Sequence, residues 1–248
     1  MTLLVIKLFL GGLAAGLVDS IAGGGGLVTL PVLLAAGLPE QLAIATNKGQ
    51  AVFGATSSAV TFWRRGGLDR DRAPLAFALG AIGSLLGASL LLLVRPEPLK
   101  PLVVALLVAA AVFVSLPKRV HARKTPIRHP RLLLAAIACG IGAYDGFFGP
   151  GTGTLLIVAF AGLFGDSLTR ASGNAKVVNL ASNVAAFTLF LLRGKILWAY
   201  ALPMAVGNTV GAAIGSRLAF RGGDKVVRVV VLCVVAAIVA KLTWSLLR

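Results

Sequence analysis

The chain has 248 residues, 58% of them hydrophobic and only 13% charged, with a mean hydropathy of +0.93. Soluble domains are about a quarter charged, so this balance excludes a water-soluble globule. The long charge-free runs exclude a β-barrel, whose strands alternate over roughly ten residues. The formal net charge of +16 lies mostly in short loops between apolar runs. That placement fits helix orientation and contact with anionic lipid, and not nucleic acid.

The elements then follow in order. Leu3 to Ile21 is an apolar run about one membrane thickness long, read as a retained helix and not a cleaved leader. The glycines Gly23 to Gly26 interrupt it, and a short run, Leu27 to Ala36, follows. Each glycine disfavours helix by about 0.8–1 kcal/mol relative to Ala. Four together mark backbone leaving the helix at membrane depth, which is tolerated only inside protein or beside a water-filled cavity. Leu42–Trp63, Ala73–Val94 and Pro101–Leu116 are long helices, separated by charged loops at 64–72 and 95–100. The segment 117–131 contains six Lys or Arg with His121 and His129, and divides the chain into halves 1–116 and 132–248.

The second half repeats the first. Leu132–Phe148, a break at Gly149, Gly151 and Gly153, a short run to Phe164, Leu168–Leu192, Ile196–Phe220 and Val226–Leu247 match the first half in order. Asp145 takes the place of Asp19, and Lys176 that of Lys48. So many coincidences of Gly, Asp and Lys predict an internal duplication. The fold class is therefore all-α: a polytopic helical membrane protein of two homologous halves with glycine-rich broken or re-entrant helices and about eight crossings, the count that follows if residues 3–37 form one crossing plus a re-entrant segment. The alternative is an inverted repeat of five plus five. Residues 3–37 decide between them, being long for one crossing and short for two.

Four ionisable residues fall within apolar runs: Asp19, Lys48, Asp145 and Lys176. Intramembrane charges are costly and therefore functional and paired by default. They also fit structural ion pairs, or lysines that snorkel to the interface. The breaks add a second chemistry. A helix starting after Gly23, Gly24 and Gly25, or after Gly149 and Gly151, turns backbone N–H groups and a positive dipole end toward a ligand. Asn47 beside Lys48, and Asn174, Asn179 and Asn183 around Lys176, add amide donors suited to an oxyanion. Those glycines, asparagines and lysines are the candidate substrate-binding residues, and Asp19 and Asp145 the candidate proton carriers. Cys139 and Cys233 form no metal or redox motif, and no nucleotide-binding loop or nucleophile–base pair is present. No enzyme, metal or cofactor is expected.

Taken together, AGLVDSIAGGGGLVTLPVLLAAGLP, LAIATNKGQAVFG, DGFFGPGTG and ASGNAKVVNLASNVAAF resemble the TauE/SafE sulfite exporter family over nearly the whole chain. With Asp before each glycine-rich break, the sequence is closest to a subgroup of it. The resemblance implies a multi-pass inner-membrane transporter of sulfur-containing anions such as sulfite or organosulfonates, built from duplicated four-helix units. The expected function is secondary transport of a small oxyanion, outward and coupled to protons. Its partners are the anion and membrane lipid, with a homodimer as one assembly. A passive anion channel and a non-transporting membrane assembly protein are the alternatives.

Overall fold

The computed structural model describes residues 2–115 and 127–221. Most of the basic linker with His121, the expected closing helix Val226–Leu247 and Cys233 lie outside the described residues. Everything regular within them is helical: α1 Thr2–Ala22, α2 Gly26–Ala35, α3 Glu40–Arg64, α4 Ala73–Leu93, α5 Pro96–Ser115, α6 Pro130–Phe147, α7 Thr152–Phe164 and α8 Leu168–Leu192. A further helix, α9, covers 198–221. The stretch 95–100 differs from the expected loop, since α5 already begins at Pro96. Proline is favoured in a first helical turn, where its missing N–H has no partner to lose. Glu97 there meets the positive end of the helix dipole.

Among the described residues, α1, α4, α8 and the Pro96–Phe113 part of α5 are long and apolar enough to cross a membrane. At 25 residues α3 is as long as α8, about 37 Å at 1.5 Å per residue. Its mean hydropathy is lowered by a buried polar stripe of Thr46, Asn47, Lys48, Gln50 and Ser58. Large apolar side chains such as Leu86, Leu93, Leu192 and Val206 point outward. A polar interior under an apolar surface is the arrangement a bilayer demands.

Glycine seams set the helix directions. Gly12 and Gly16 of α1 lie on the backbone at Met204 and Asn208, and Gly207 and Gly211 of α9 on that at Phe9 and Leu13. These two helices therefore run parallel. So do α4 and α6, where Gly83 meets the Cys139 carbonyl and Gly87 that of Ala143. Small residues permit this approach, and a Cβ at either glycine would overlap the carbonyl. α3 runs with α9, through Gly54 beside Asn208 and the 3.0 Å Ser58–Ser216 hydroxyl contact. It runs against α8, with Phe53 on Phe187 and Phe62 beside Gly173. α4 runs with α8, through Gly80 on Val178 and the Ser84 hydroxyl donating to the Ser182 carbonyl at 2.8 Å, so α1 and α6 start at opposite ends of the bundle. α2 doubles back along α1, since Gly25 faces Ala15 and Val32 faces Gly11.

Two apolar cores lie on either side of a central polar layer. One gathers Leu8, Leu33, Ile44 and Phe190 toward the end where α1 starts. The other gathers Phe62, Leu134, Ile157 and Phe160 toward the opposite end.

Candidate functional site

The two glycine breaks meet. Gly23 has φ +78°, a conformation that glycine adopts without strain. Its Cα is packed against Gly153, leaving no room for a side chain on either residue. Two hydrogen bonds stitch the crossing: Thr154 N–H donates to the Gly23 carbonyl at 3.3 Å, and the Thr154 hydroxyl to the Ala22 carbonyl at 2.8 Å. The Pro150 backbone lies over Gly26. Thus the N-termini of α2 and α7 arrive at one place near the middle of the bundle.

The charges around this crossing are exchanged between the halves. Lys48 of α3 forms a 2.8 Å ion pair with Asp145 of α6, both side chains 2% exposed. Lys176 of α8 lies 3.1 Å from Asp19 of α1, and the lysine also donates to the Asp19 carbonyl. That lysine is fully buried while Asp19 is 24% exposed. Neither lysine snorkels to a helix end. Asp19 additionally accepts from the Gly25 N–H at 3.2 Å. The N-terminus of α2 thus already holds an anion, its own chain's carboxylate, where a dipole end favours negative charge. Gly149, at φ +97°, brings its backbone against the other pair. A Cβ there would sit 3.2 Å from both Lys48 Nζ and Asp145 Oδ1.

Beside the crossing lies a polar cavity of about 30 Å³. Asp19, Lys48, Asp145, Asn47, Asn179 and Asn183 border it, together with Gly23, Gly25 and Gly149. Gly24 and Gly151 are not on its wall; Gly151 is the N-cap of α7, at φ +84°. Lys176 is one step removed, behind Asp19. Three further polar residues, not among those expected from the sequence, also line it: Thr29, Gln50 and Asn208. They form a directed chain. Asn208 Nδ2 donates to Gln50 Oε1 at 2.6 Å, and Gln50 Nε2 to Asn47 Oδ1 at 2.8 Å. The Thr29 hydroxyl also donates to Asn47 Oδ1, at 2.6 Å. With its oxygen doubly engaged, Asn47 has only its two N–H donors to offer the cavity. The available signal for the missed residues was amphipathicity: Gln50 follows Asn47 at i+3 on α3, but Thr29 and Asn208 are isolated in apolar runs.

Asn174 is placed elsewhere. Its Oδ1 accepts from the Asp69 N–H at 2.8 Å, and its Nδ2 donates to Asp166 at 2.8 Å. Arg72 closes this cluster with ion pairs of 2.7 Å to Asp69 and 2.8 Å to Asp166, its guanidinium over the Phe164 ring. Together they latch two loops to the start of α8. At the opposite end of the bundle the start of α3 is tied without charge: Leu197 N–H donates to the Thr46 hydroxyl at 3.1 Å.

Partial burial pushes the Asp69 carboxyl up. The Arg72 side chain and the N–H groups of Arg72 and Asp71 outweigh this and hold it below the usual 3.8. A depressed carboxylate contributes stability that is full above its unfolded value and fades as pH falls through the folded one. Arg72 and Asp69 are partly exposed and screened by solvent, so Arg72→Gln is expected to destabilise the purified protein by only about 1 kcal/mol at pH 7. Thermal melts of both proteins should show that difference shrinking only below about pH 4.

Long apolar helices, a polar centre and paired buried charges at a double break define a polytopic membrane protein of the transporter class. The family model for the sulfite exporter TauE/SafE matches residues 8–242, and the chain belongs to that family. It is 39% identical over 244 residues to the "Probable membrane transporter protein YfcA" of Escherichia coli K12, covering 98% of this chain and 91% of the relative. It is 37% identical over 245 residues to the "Probable membrane transporter protein ORF9" of Sinorhizobium sp, covering 96% and 92%. A "Probable membrane transporter protein" of Haemophilus influenzae is 34% identical, covering 98% and 95%. No solved structure matches the chain.

Proposed function

We propose that this membrane transporter is a secondary carrier of a small sulfur-containing oxyanion, such as sulfite or a short organosulfonate, coupled to protons. The observation that carries the reading is the pairing of each buried lysine with an aspartate from the other half, beside a cavity bordered by amide donors. A lysine held by a carboxylate is a stored anion site, which an incoming oxyanion can take over once the carboxylate is neutralised. Asn47 and Asn179 supply uncharged donors to the remaining oxygens. Export is the expected direction in a cell that generates the anion internally.

The halves are proposed to be related by duplication and to be inverted. Supporting this are the opposite starting ends of α1 and α6, and the matching seams α1–α9 and α6–α4. An inverted pair converging on a shared midplane site is a recurrent design among carriers. The end holding the 64–72 loop and the start of α6 is the more basic, and is proposed to face the cytoplasm.

The test is flux of labelled sulfite, methanesulfonate and sulfate in liposomes containing the purified protein. Lys48→Gln should lower sulfite or methanesulfonate flux at least about tenfold per folded protein, the loss of one charged hydrogen bond worth about 1.4 kcal/mol or more. Equal flux in both proteins would refute the lysine as the site. Flux that keeps its rate and fails to respond to an imposed pH difference would identify a channel.

A further inference from the structure

The two cross-half ion pairs are not equivalent. Both oxygens of the Asp19 carboxylate are engaged, Oδ1 by the Gly25 N–H and Oδ2 by Lys176. Asp145 uses Oδ1 for Lys48, whereas its Oδ2 is buried and has no hydrogen-bond partner among the described residues. Asp145 borders the cavity and is 2% exposed. A buried carboxylate oxygen with no donor is anomalous in a folded protein, and protonation would remove the buried charge that this oxygen leaves uncompensated.

The titratable and charged groups packed around Asp145 are few. Lys48 faces it from α3, and Asp19 from α1 borders the same cavity. On its own helix, Tyr144 turns its hydroxyl away to the Pro150 carbonyl at 2.7 Å. α4 and α7 carry no ionisable residue. α8 contributes Arg170 in its first turn and Lys176, which Asp19 already holds.

We propose that Asp145 alone is the coupling carboxylate, and that the carrier moves one proton with each singly charged oxyanion. This rests on the reading of the site as an oxyanion carrier. A proton from solvent adds to Oδ2 and converts the carboxylate to a carboxylic acid. Lys48 keeps its own proton throughout, and its ammonium exchanges Asp145 for the oxyanion.

Charge balance enforces the coupling. The empty site holds one ammonium and one carboxylate. The loaded site holds one ammonium, one neutral acid and one monoanion. Both sum to zero. Anion without proton, or proton without anion, would leave a net charge at the buried Lys48–Asp145 pair, which is strongly disfavoured. A dianion such as sulfate would leave one negative charge unmatched, so the site selects monoanions such as hydrogensulfite and alkanesulfonates. Asp19, clamped on both oxygens, acts as a positioning residue that holds the first break. Direction follows the sum of the two gradients, so export requires the internal anion excess to exceed the inward proton drive.

The experiment uses the full chain in liposomes with methanesulfonate, a permanent monoanion, and sulfate as the dianion. One-to-one coupling predicts about tenfold methanesulfonate accumulation per imposed pH unit, acid on the side of entry, unaffected by a membrane potential, and none for sulfate. Asp145→Asn, retained as a monodisperse peak in size exclusion although melting below wild type, should lose pH-driven accumulation. Asp145→Glu, which retains a titratable carboxyl, should restore it with a shifted pH profile. Asp19→Asn should weaken exchange and accumulation in parallel. Retained accumulation in Asp145→Asn, an unshifted profile in Asp145→Glu, or selective loss of accumulation in Asp19→Asn would each overturn the assignment. A wild-type protein that carries neither anion in either mode would instead overturn the carrier reading itself.

Discussion

Gly23→Ala is expected to remove the folded protein, while the same change at Gly37 leaves it nearly intact. Both glycines occupy the left-handed region, at φ +78° and +88°, so both substitutions incur a backbone strain of about 1–2 kcal/mol. The difference lies in what the new methyl meets. At Gly37 nothing stands within 4 Å. At Gly23 the methyl would fall inside the backbone of Gly153 and Thr154, which is neither flexible nor free to retreat. Relieving it means parting α2 from α7, breaking the Thr154 hydrogen bonds and opening the apolar cores above and below. The total is about 4 kcal/mol or more, the upper range of point-mutation effects. Fluorescence size-exclusion and thermal melts of detergent-purified variants should show Gly37→Ala a few degrees below wild type and Gly23→Ala absent from the monodisperse peak. A melt for Gly23→Ala close to that of Gly37→Ala would mean the crossing is loose.

The second large effect concerns the Lys48–Asp145 pair. Lys48→Met leaves a buried carboxylate, and Asp145→Leu leaves a buried ammonium. Breaking a buried pair from one side typically costs about 3–5 kcal/mol, whereas replacing both partners with apolar residues is often neutral. The double variant is therefore expected to melt close to wild type, while each single variant melts well below it. Its flux should nevertheless be nil, because the charge that attracts the anion is gone. Stability and transport are thus expected to separate in one protein. Additive losses of stability in the double variant would show that the two side chains do not interact as the 2.8 Å separation requires.

Much of this architecture is legible in the chain because its key residues violate local rules. Glycine runs and lone charges inside apolar segments are costly wherever they stand, so Gly23 to Gly26, Gly149, Asp19, Asp145, Lys48 and Lys176 draw attention unaided. Which partner each charge takes is not legible. Each lysine reaches an aspartate in the other half of the chain, and only helix packing brings them together. Asn174 illustrates a second difficulty. Five residues from Asn174 to Asn179 turn a helix through about 500°, leaving the two about 140° apart at 3.6 residues per turn. Asn179 and Asn183 are only about 40° apart, and those two border the cavity. The return of α2 along α1 is one of two readings the sequence leaves open, a re-entrant segment or a second crossing, since a glycine break states that a helix ends and not which way the chain proceeds.

The crossed ion pairs also constrain how the protein is made. Lys48 leaves the ribosome roughly a hundred residues before Asp145, a delay of about 5–20 s at ordinary synthesis rates. Asp19 waits longer still for Lys176. During that interval the early helices hold unmatched charges and a bare break, so they must linger beside the insertion machinery or at the interface until α6 and α8 arrive.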